Sequence, residues 1–275
     1  MTDTHVEPPV PHRPHPLPEG TDLGADFPAT AASSPQARVQ SPFSPHEEDL
    51  VAPLTLVLVR HGVTEMTTSR RMSGGGVPGP ALSPPGRVQA AKAADLAYGI
   101  GRRTWMNLPH VTRVLASPLV RTQETAAAIG RRVGAHVETE ERLREVVFGD
   151  WEGLTVPEIV ERDGDAIHHW RRAETLAPGG ESITQVGERG YALVEELARD
   201  HAAECMAGRD VARGIALVSH AVAIKSIVGT ALGMPASHWG AIWPSPASIT
   251  ILQVRARRDG TIAEQHVLCV GAPVE

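Results

Sequence analysis

Three short clusters in this 275-residue chain set an imidazole or a guanidinium where an apolar run gives way to a helix. They are Arg60-His61-Gly62, Ser117-Pro118-Leu119-Val120-Arg121 and Val218-Ser219-His220-Ala221. The helix dipole is positive at such a place, so a cation there costs roughly a few tenths of a kcal/mol unless an anion lies between. Three such placements point to one anion site where helix N-termini, two arginines and two histidines converge. Its size and fork geometry suit a phosphoryl group. In that pocket a neutral imidazole can attack phosphorus in line and give a phosphohistidine. Two arginines and a second, protonated histidine would spread over the equatorial oxygens. A leaving alkoxide needs a proton, so a carboxylic acid should also face the pocket. The stretch from Leu143 to Gly153 offers Glu145, Asp150 and Glu152. Composition does not choose among them, and a structural salt bridge is an alternative use for each.

The elements that must hold these residues are legible as periodicity and punctuation. Leu54 to Val59 is an unbroken apolar run, read as a strand buried on both faces that delivers Arg60 and His61 at its C-terminal end. Ligands bind at that end of open α/β sheets, and Gly62 allows a sharp turn or a close approach. A Gly/Pro-rich loop, Met72 to Pro80, precedes a helix from Pro85 to Ala97 with Ser83 as its cap. A strand over Arg113–Ala116 leads into Ser117-Pro118, read as a helix cap followed by proline in the first turn. A short strand at 136–138, short helices at 156–162 and 166–172, and a turn at Pro178-Gly179-Gly180 come next. A long helix over 183–206, a third buried strand over 214–218, a helix to Leu232 and a terminal hairpin over 248–270 complete the pattern.

Composition narrows the function classes. A net charge of −6 makes nucleic acid an unexpected partner while leaving room for a local basic pocket. The two cysteines, Cys205 and Cys269, lack zinc spacing and fit a reducing compartment. No apolar run is long enough to cross a bilayer and no secretory signal opens the chain, so the cytoplasm is the default expectation. Residues 1–52 hold nearly half of the 23 prolines and no apolar periodicity, and read as a disordered tail ahead of a catalytic domain at 53–275.

These motifs together resemble the histidine phosphatase superfamily, the phosphoglycerate mutase-like fold. Arg60-His61-Gly62 with Thr64 is similar to its signature, and Ser117-Pro118-Leu119-Val120-Arg121-Thr122 with Thr125-Ala126 to its second motif. Leu143-Arg144-Glu145 with Phe148-Gly149-Asp150-Trp151-Glu152-Gly153 resembles the acid-bearing motif, and Pro178-Gly179-Gly180-Glu181-Ser182 and Val218-Ser219-His220-Ala221 resemble two more. The chain departs from the pattern at Val63, where relatives carry Glu or Gln, and at Thr67, where several carry Asn.

The resemblance implies a three-layer α/β sandwich, a mostly parallel mixed sheet with helices on both faces. It implies His61 as the phosphorylated nucleophile and Glu145 as general acid. Arg60, Arg121 and His220 would hold phosphate, with Gly62, Thr64 and Thr67 as further substrate contacts, and no metal or other cofactor is needed. The segment 145–182 is short for the cap of a cofactor-dependent mutase, so the expected activity is phosphomonoester hydrolysis on a small phosphorylated metabolite. Mutase-type phosphoryl transfer and a non-catalytic phosphate-binding role are the alternatives. Lys225, one turn beyond His220, would touch phosphate or pair with a carboxylate. His168-His169-Trp170-Arg171-Arg172 reads either as a substrate contact or as an amphipathic helix with a packed Trp170. The exposed edge of the terminal hairpin offers a surface for a homodimer.

Overall fold

The computed structural model describes residues 49–274. β1 (Leu54–Arg60) is followed by a four-residue helix α1 (Glu65–Thr68) and by α2 (Pro84–Gly99). β2 (Val111–Ala116), α3 (Val120–Val133) and β3 (Val137–Thr139) come next, then α4 (Val156–Asp163), α5 (Ala166–Arg171) and the long α6 (Ile183–Met206). β4 (Arg213–Ser219), α7 (Ala221–Ala231), β5 (Ile249–Ala256) and β6 (Ile262–Ala272) close the chain. The six strands form one sheet in the order β3-β2-β4-β1-β5-β6. β1 pairs in parallel with β4 and antiparallel with β5, so its backbone groups are bonded on both edges.

Side chains alternate across a strand, and β1 shows why its run is apolar throughout. Leu54, Leu56 and Leu58 pack with Leu193 and Leu197 of α6 and Ile224 and Ile227 of α7. Val57 and Val59 pack on the other face with Ala93 and Ala97 of α2 and Ala126 and Ile129 of α3. Helices thus cover both faces of a mixed sheet, the three-layer arrangement expected from the sequence. A third apolar cluster lies outside the sandwich, where Trp151, Ile159, Ile167 and Trp170 gather with Ile183 at the start of α6. All three indoles in it are anchored: Trp151 donates to Asp163 (2.6 Å), Trp170 to the Glu181 carbonyl (2.9 Å) and Trp239 to the Met234 carbonyl (3.0 Å).

Two boundaries move. Of the segment expected to be a disordered tail, residues 1–48 lie outside the described residues, while the last four belong to the fold. Leu50 bridges Arg257, and buried Val51 donates its N–H to the Ala256 carbonyl at 3.0 Å. The cap of α3 is Leu119, which supplies no side-chain bond, and not Ser117 as its type suggested. The Ser117 hydroxyl is used elsewhere.

Candidate active site

His61 emerges at the C-terminal end of β1 and its ring is fixed from two sides. Nδ1 lies 2.7 Å from the Gly62 carbonyl, a geometry that places a proton on Nδ1 and leaves the Nε2 lone pair free. Arg121 Nε donates to that Nε2 at 3.3 Å. Burial, then the charges of Arg121 and Arg60, hold the imidazole well below its ordinary pKa. It is therefore neutral at physiological pH, as a nucleophile must be. Gly62 is required by close packing, because a Cβ there would strike the Gly86 carbonyl at the start of α2. Its N–H faces Thr125 Oγ1 at 3.4 Å, so Gly62 turns toward the helices. Thr64 is fully buried and caps α1 in a reciprocal capping box with Thr67. Of the three residues expected as further substrate contacts, Thr67 alone borders the open cavity in front of His61.

Arg121 is completely buried in the first turn of α3. Its Nη2 donates to the carbonyls of Ser73 (3.0 Å) and Gly74 (3.2 Å), and its Nη1 has no partner among the described residues. Burial pushes the guanidinium down to about 10, against the opposing pull of Glu145 and Glu152, so it stays a cation at neutral pH. The loop that receives it is tailored to fit. Gly79, at φ +71°, lies where any Cβ would collide with Nη1, and Gly74 is tied by its N–H to both oxygens of Glu152. Arg60 donates to the Pro244 carbonyl at 3.0 Å and keeps a buried Nε without a partner among the described residues.

His220 caps the backbone start of α7 and packs edge-on against His61, with ring centroids 5.1 Å apart. Its Nε2 meets Ser117 Oγ at 2.8 Å, while Nδ1 is buried without a partner among the described residues. This is what occupies Ser117. Burial, then Arg121, His61 and Arg60, lower the His220 pKa well below the usual value. The sequence analysis expects this ring protonated with a phosphoryl group in the pocket; with Nε2 held by Ser117, the buried Nδ1 is the ring atom left for a ligand.

Glu145 is the one carboxylate of its motif that borders the cavity. Oε1 accepts from the N–H groups of Val146 (3.0 Å) and Ala223 (3.2 Å), and Oε2 from Val222 (3.1 Å). It thereby sits on the N-terminus of α7, where the dipole favours a negative group. Glu152 is spent on Gly74, and Asp150 does not reach the cavity. The backbone that carries Glu145 is clamped by Arg189 of α6, which donates to the carbonyls of Arg142 (2.8 Å), Arg144 (2.8 Å) and Glu145 (3.1 Å). Glu181 holds Arg189 in turn (3.1 Å) and accepts the Val147 N–H (2.9 Å). Arg189 is a positioning residue that the sequence analysis did not name, while Ser117 and Glu181, quoted there within motifs, were not assigned the positioning contacts they make here. A glutamate at the turn before a helix, with an arginine two turns into it, is the signal that was available.

Comparison with known proteins agrees with this geometry. The profile of the histidine phosphatase superfamily (branch 1) matches residues 56–264. The chain belongs to the histidine phosphatase superfamily. A glucosyl-3-phosphoglycerate phosphatase of Mycolicibacterium vanbaalenii is 36% identical over 185 residues, covering 67% of this chain and 76% of that one. The corresponding phosphatase of Mycobacterium tuberculosis is 35% identical over 188 residues, 68% of this chain and 79% of its relative. The solved native structure of a mycobacterial glucosyl-3-phosphoglycerate phosphatase superposes with a TM-score of 0.66 at 31% identity, over 80% of this chain and 99% of that one. The protein is a phosphomonoester hydrolase of this superfamily.

The cavity in front of the phosphatase's His61 has a volume of about 860 Å³. Arg60, His61, Thr67 and Glu145 form its inner end, and Arg121 and His220 lie fully buried beside His61 without bordering the open space. The outer walls come from Phe148, Ile183 and the exposed Trp243. The sequence left the direction of Lys225 open, and the structure turns it into this cavity. The segment 168–172 divides between its two readings. Trp170 is packed, Arg172 and His169 pair with Glu174, and Arg171 borders the cavity. Among the described residues no group of three or more His, Cys, Asp or Glu is arranged to hold a metal, and no helix is long and apolar enough to cross a membrane.

Proposed function

We propose that this phosphatase transfers the phosphoryl group of its substrate to Nε2 of His61. The P–N bond forms as the P–O bond to the leaving alcohol breaks, and Glu145 gives the departing oxygen its proton. Water then attacks the phosphohistidine with Glu145 taking back a proton, which regenerates His61 and releases inorganic phosphate. Arg60, Arg121 and the Nδ1–H of His220 balance the charge on the equatorial oxygens. The observation that carries this reading is the neutral His61, its Nδ1 bound to Gly62 and its Nε2 turned to a guanidinium, with Glu145 on the same cavity. The substrate we favour is a phosphorylated sugar or glycerate derivative of the kind named for the mycobacterial relatives, glucosyl-3-phosphoglycerate.

The test is phosphate release from p-nitrophenyl phosphate and a panel including glucosyl-3-phosphoglycerate, with excess chelator, for wild type and His61→Ala. Chelator-resistant turnover that disappears in the variant, with an acid-labile phosphoenzyme trapped by rapid quench in wild type, is the expected result. Turnover surviving in His61→Ala would assign the nucleophile elsewhere. For assembly we propose a homodimer through the β6 edge of the sheet, which light scattering at micromolar concentration would read directly.

A further inference from the structure

Beyond the phosphoryl end, the cavity carries positive charge that the hydrolytic step does not use. Besides Arg60, which serves the phosphoryl end, four cationic side chains border it (Arg70, Arg71, Arg171 and Lys225) against one carboxylate, Glu145, whose oxygens are occupied by backbone N–H groups. Arg71 is neutralised by Glu158 at 3.0 Å and bound to the Gly153 carbonyl, so it belongs to the wall. Lys225 is different. It is partly buried, and among the described residues it makes neither a hydrogen bond nor an ion pair. Burial lowers its pKa; Glu145 pulls the other way, and Arg171 and Arg60 push it further down. Arg171, at the end of α5, is likewise without an ion pair among the described residues and borders the same cavity. A partly buried ammonium that shares a cavity with an unpaired guanidinium and is short of counter-charge is costly to hold unless an anion enters.

The position on α7 sets a distance. Ala221, Val222 and Lys225 form one helical face along the cavity. Lys225 stands one turn beyond the helix start that holds Glu145, about 5 Å along the axis. Because Lys225 and His61 border one cavity, a single ligand can present its phosphoryl group to His61 and a second anion to Lys225.

We propose that Lys225 and Arg171 form a second anion subsite, which selects phosphomonoesters carrying a further carboxylate or phosphate a few bonds from the scissile group. The proposal rests on the phosphoryl group docking at His61 as set out above. It assigns Lys225 and Arg171 to substrate choice and leaves the chemical step to the inner residues.

Two ligand pairs isolate the second anion: 3-phosphoglycerate against glycerol 3-phosphate, and glucose 1,6-bisphosphate against glucose 6-phosphate. In wild type, the member with the extra anion should be preferred in kcat/KM by about 10- to 100-fold in at least one pair, the scale of a charge-assisted hydrogen bond in a desolvated site. Preference in the first pair assigns a carboxylate, and preference in the second a phosphate. Lys225→Met should shrink that ratio to within about threefold, Lys225→Arg should restore most of it, and Arg171→Gln should lower it partway. No preference in either pair with wild type overturns the proposal without any variant. An equal loss on both members of a pair in Lys225→Met also overturns it, because Lys225 would then serve the shared phosphoryl group. If none of the esters is hydrolysed, the hydrolytic reading fails on its own. Calorimetric binding of the same four compounds to wild type and Lys225→Met then decides the subsite.

Discussion

The two ends of the cavity are built by different means. At the inner end His61, Arg121 and His220 are 5%, 0% and 0% exposed and stand where β1, β2 and β4, the parallel centre of the sheet, pass into helices or loops. At the outer end Arg171 and Trp243 come from a six-residue helix and a loop, and Trp243 is 70% exposed. The inner residues are over-determined by strand pairing and packing on both faces, and cannot move without moving the core. Of the outer ones, Arg171 follows directly on Trp170 of the separate apolar cluster, and Trp243 is exposed. On the roles proposed above, the rigid half would carry the reaction, and substrate choice would draw on Arg171 and Trp243 of the outer half together with Lys225 of α7.

That division can be broken from the inside first. His61→Ala removes the attacking atom and should lower hydrolysis of every ester by about 10⁴-fold or more, the order seen when a nucleophile is deleted. Glu145→Gln should separate substrates by leaving group. For an alkyl phosphate, whose alkoxide needs a proton, the fall should be roughly 10²–10⁴-fold, and for p-nitrophenyl phosphate much smaller. Gly79→Ala touches no ligand, yet its methyl would displace the Arg121 guanidinium. A loss of about 10²-fold in kcat/KM on all esters alike, with an unchanged circular-dichroism spectrum, would sharpen the picture of a rigid inner end. A ranking of esters altered by Gly79→Ala would blur it. From the outside, Trp243→Ala should raise KM for a sugar phosphate about threefold while kcat holds, the mark of uniform binding.

The smallest effect lies in the pH dependence. Because burial and the two arginines depress the pKa of His61, its lone pair is lost only well below pH 6.5. The acid limb of kcat/KM should fall there too. Stability follows the same sign. Below about 6.5 the unfolded chain takes up protons at His61 and His220 that the folded chain refuses, so the melting temperature should drop as pH falls from 7 toward 5. His61→Ala should remove part of that slope.

Much of this was legible in the sequence because it is local. A continuous apolar run followed by Arg60-His61, a strand followed by Arg121 in the first turn of α3, and β4 followed by His220 each declare an element and its polar exit within ten residues. What escaped is what acts across the fold. Ser117 meets His220 across 103 positions of chain, and Arg189 reaches the Arg142 carbonyl across 47. No periodicity encodes either contact. Ser117 was in fact misleading, since its type and the following proline imitate a helix cap. α1 was missed because four residues are too few for a pattern, and Thr64 looked like a ligand contact when its hydroxyl serves that short helix. Among Glu145, Asp150 and Glu152 the residues alone could not choose. The structure separates them by giving Glu152 to Gly74 and Glu145 to the helix start of α7.

The contact from Arg121 Nε to His61 Nε2 also has a bearing on unwanted chemistry. In the free enzyme the electron pair that will attack phosphorus is stoppered by a guanidinium N–H. An acylating or alkylating reagent offers the arginine nothing in exchange, so the ring should resist such reagents far better than a free imidazole would. A phosphoryl oxygen does offer something, a stronger acceptor for the same N–H. If His61 is the nucleophile, as proposed above, the substrate would bring the key to it, and the histidine would stay disarmed toward other electrophiles until that key is in place.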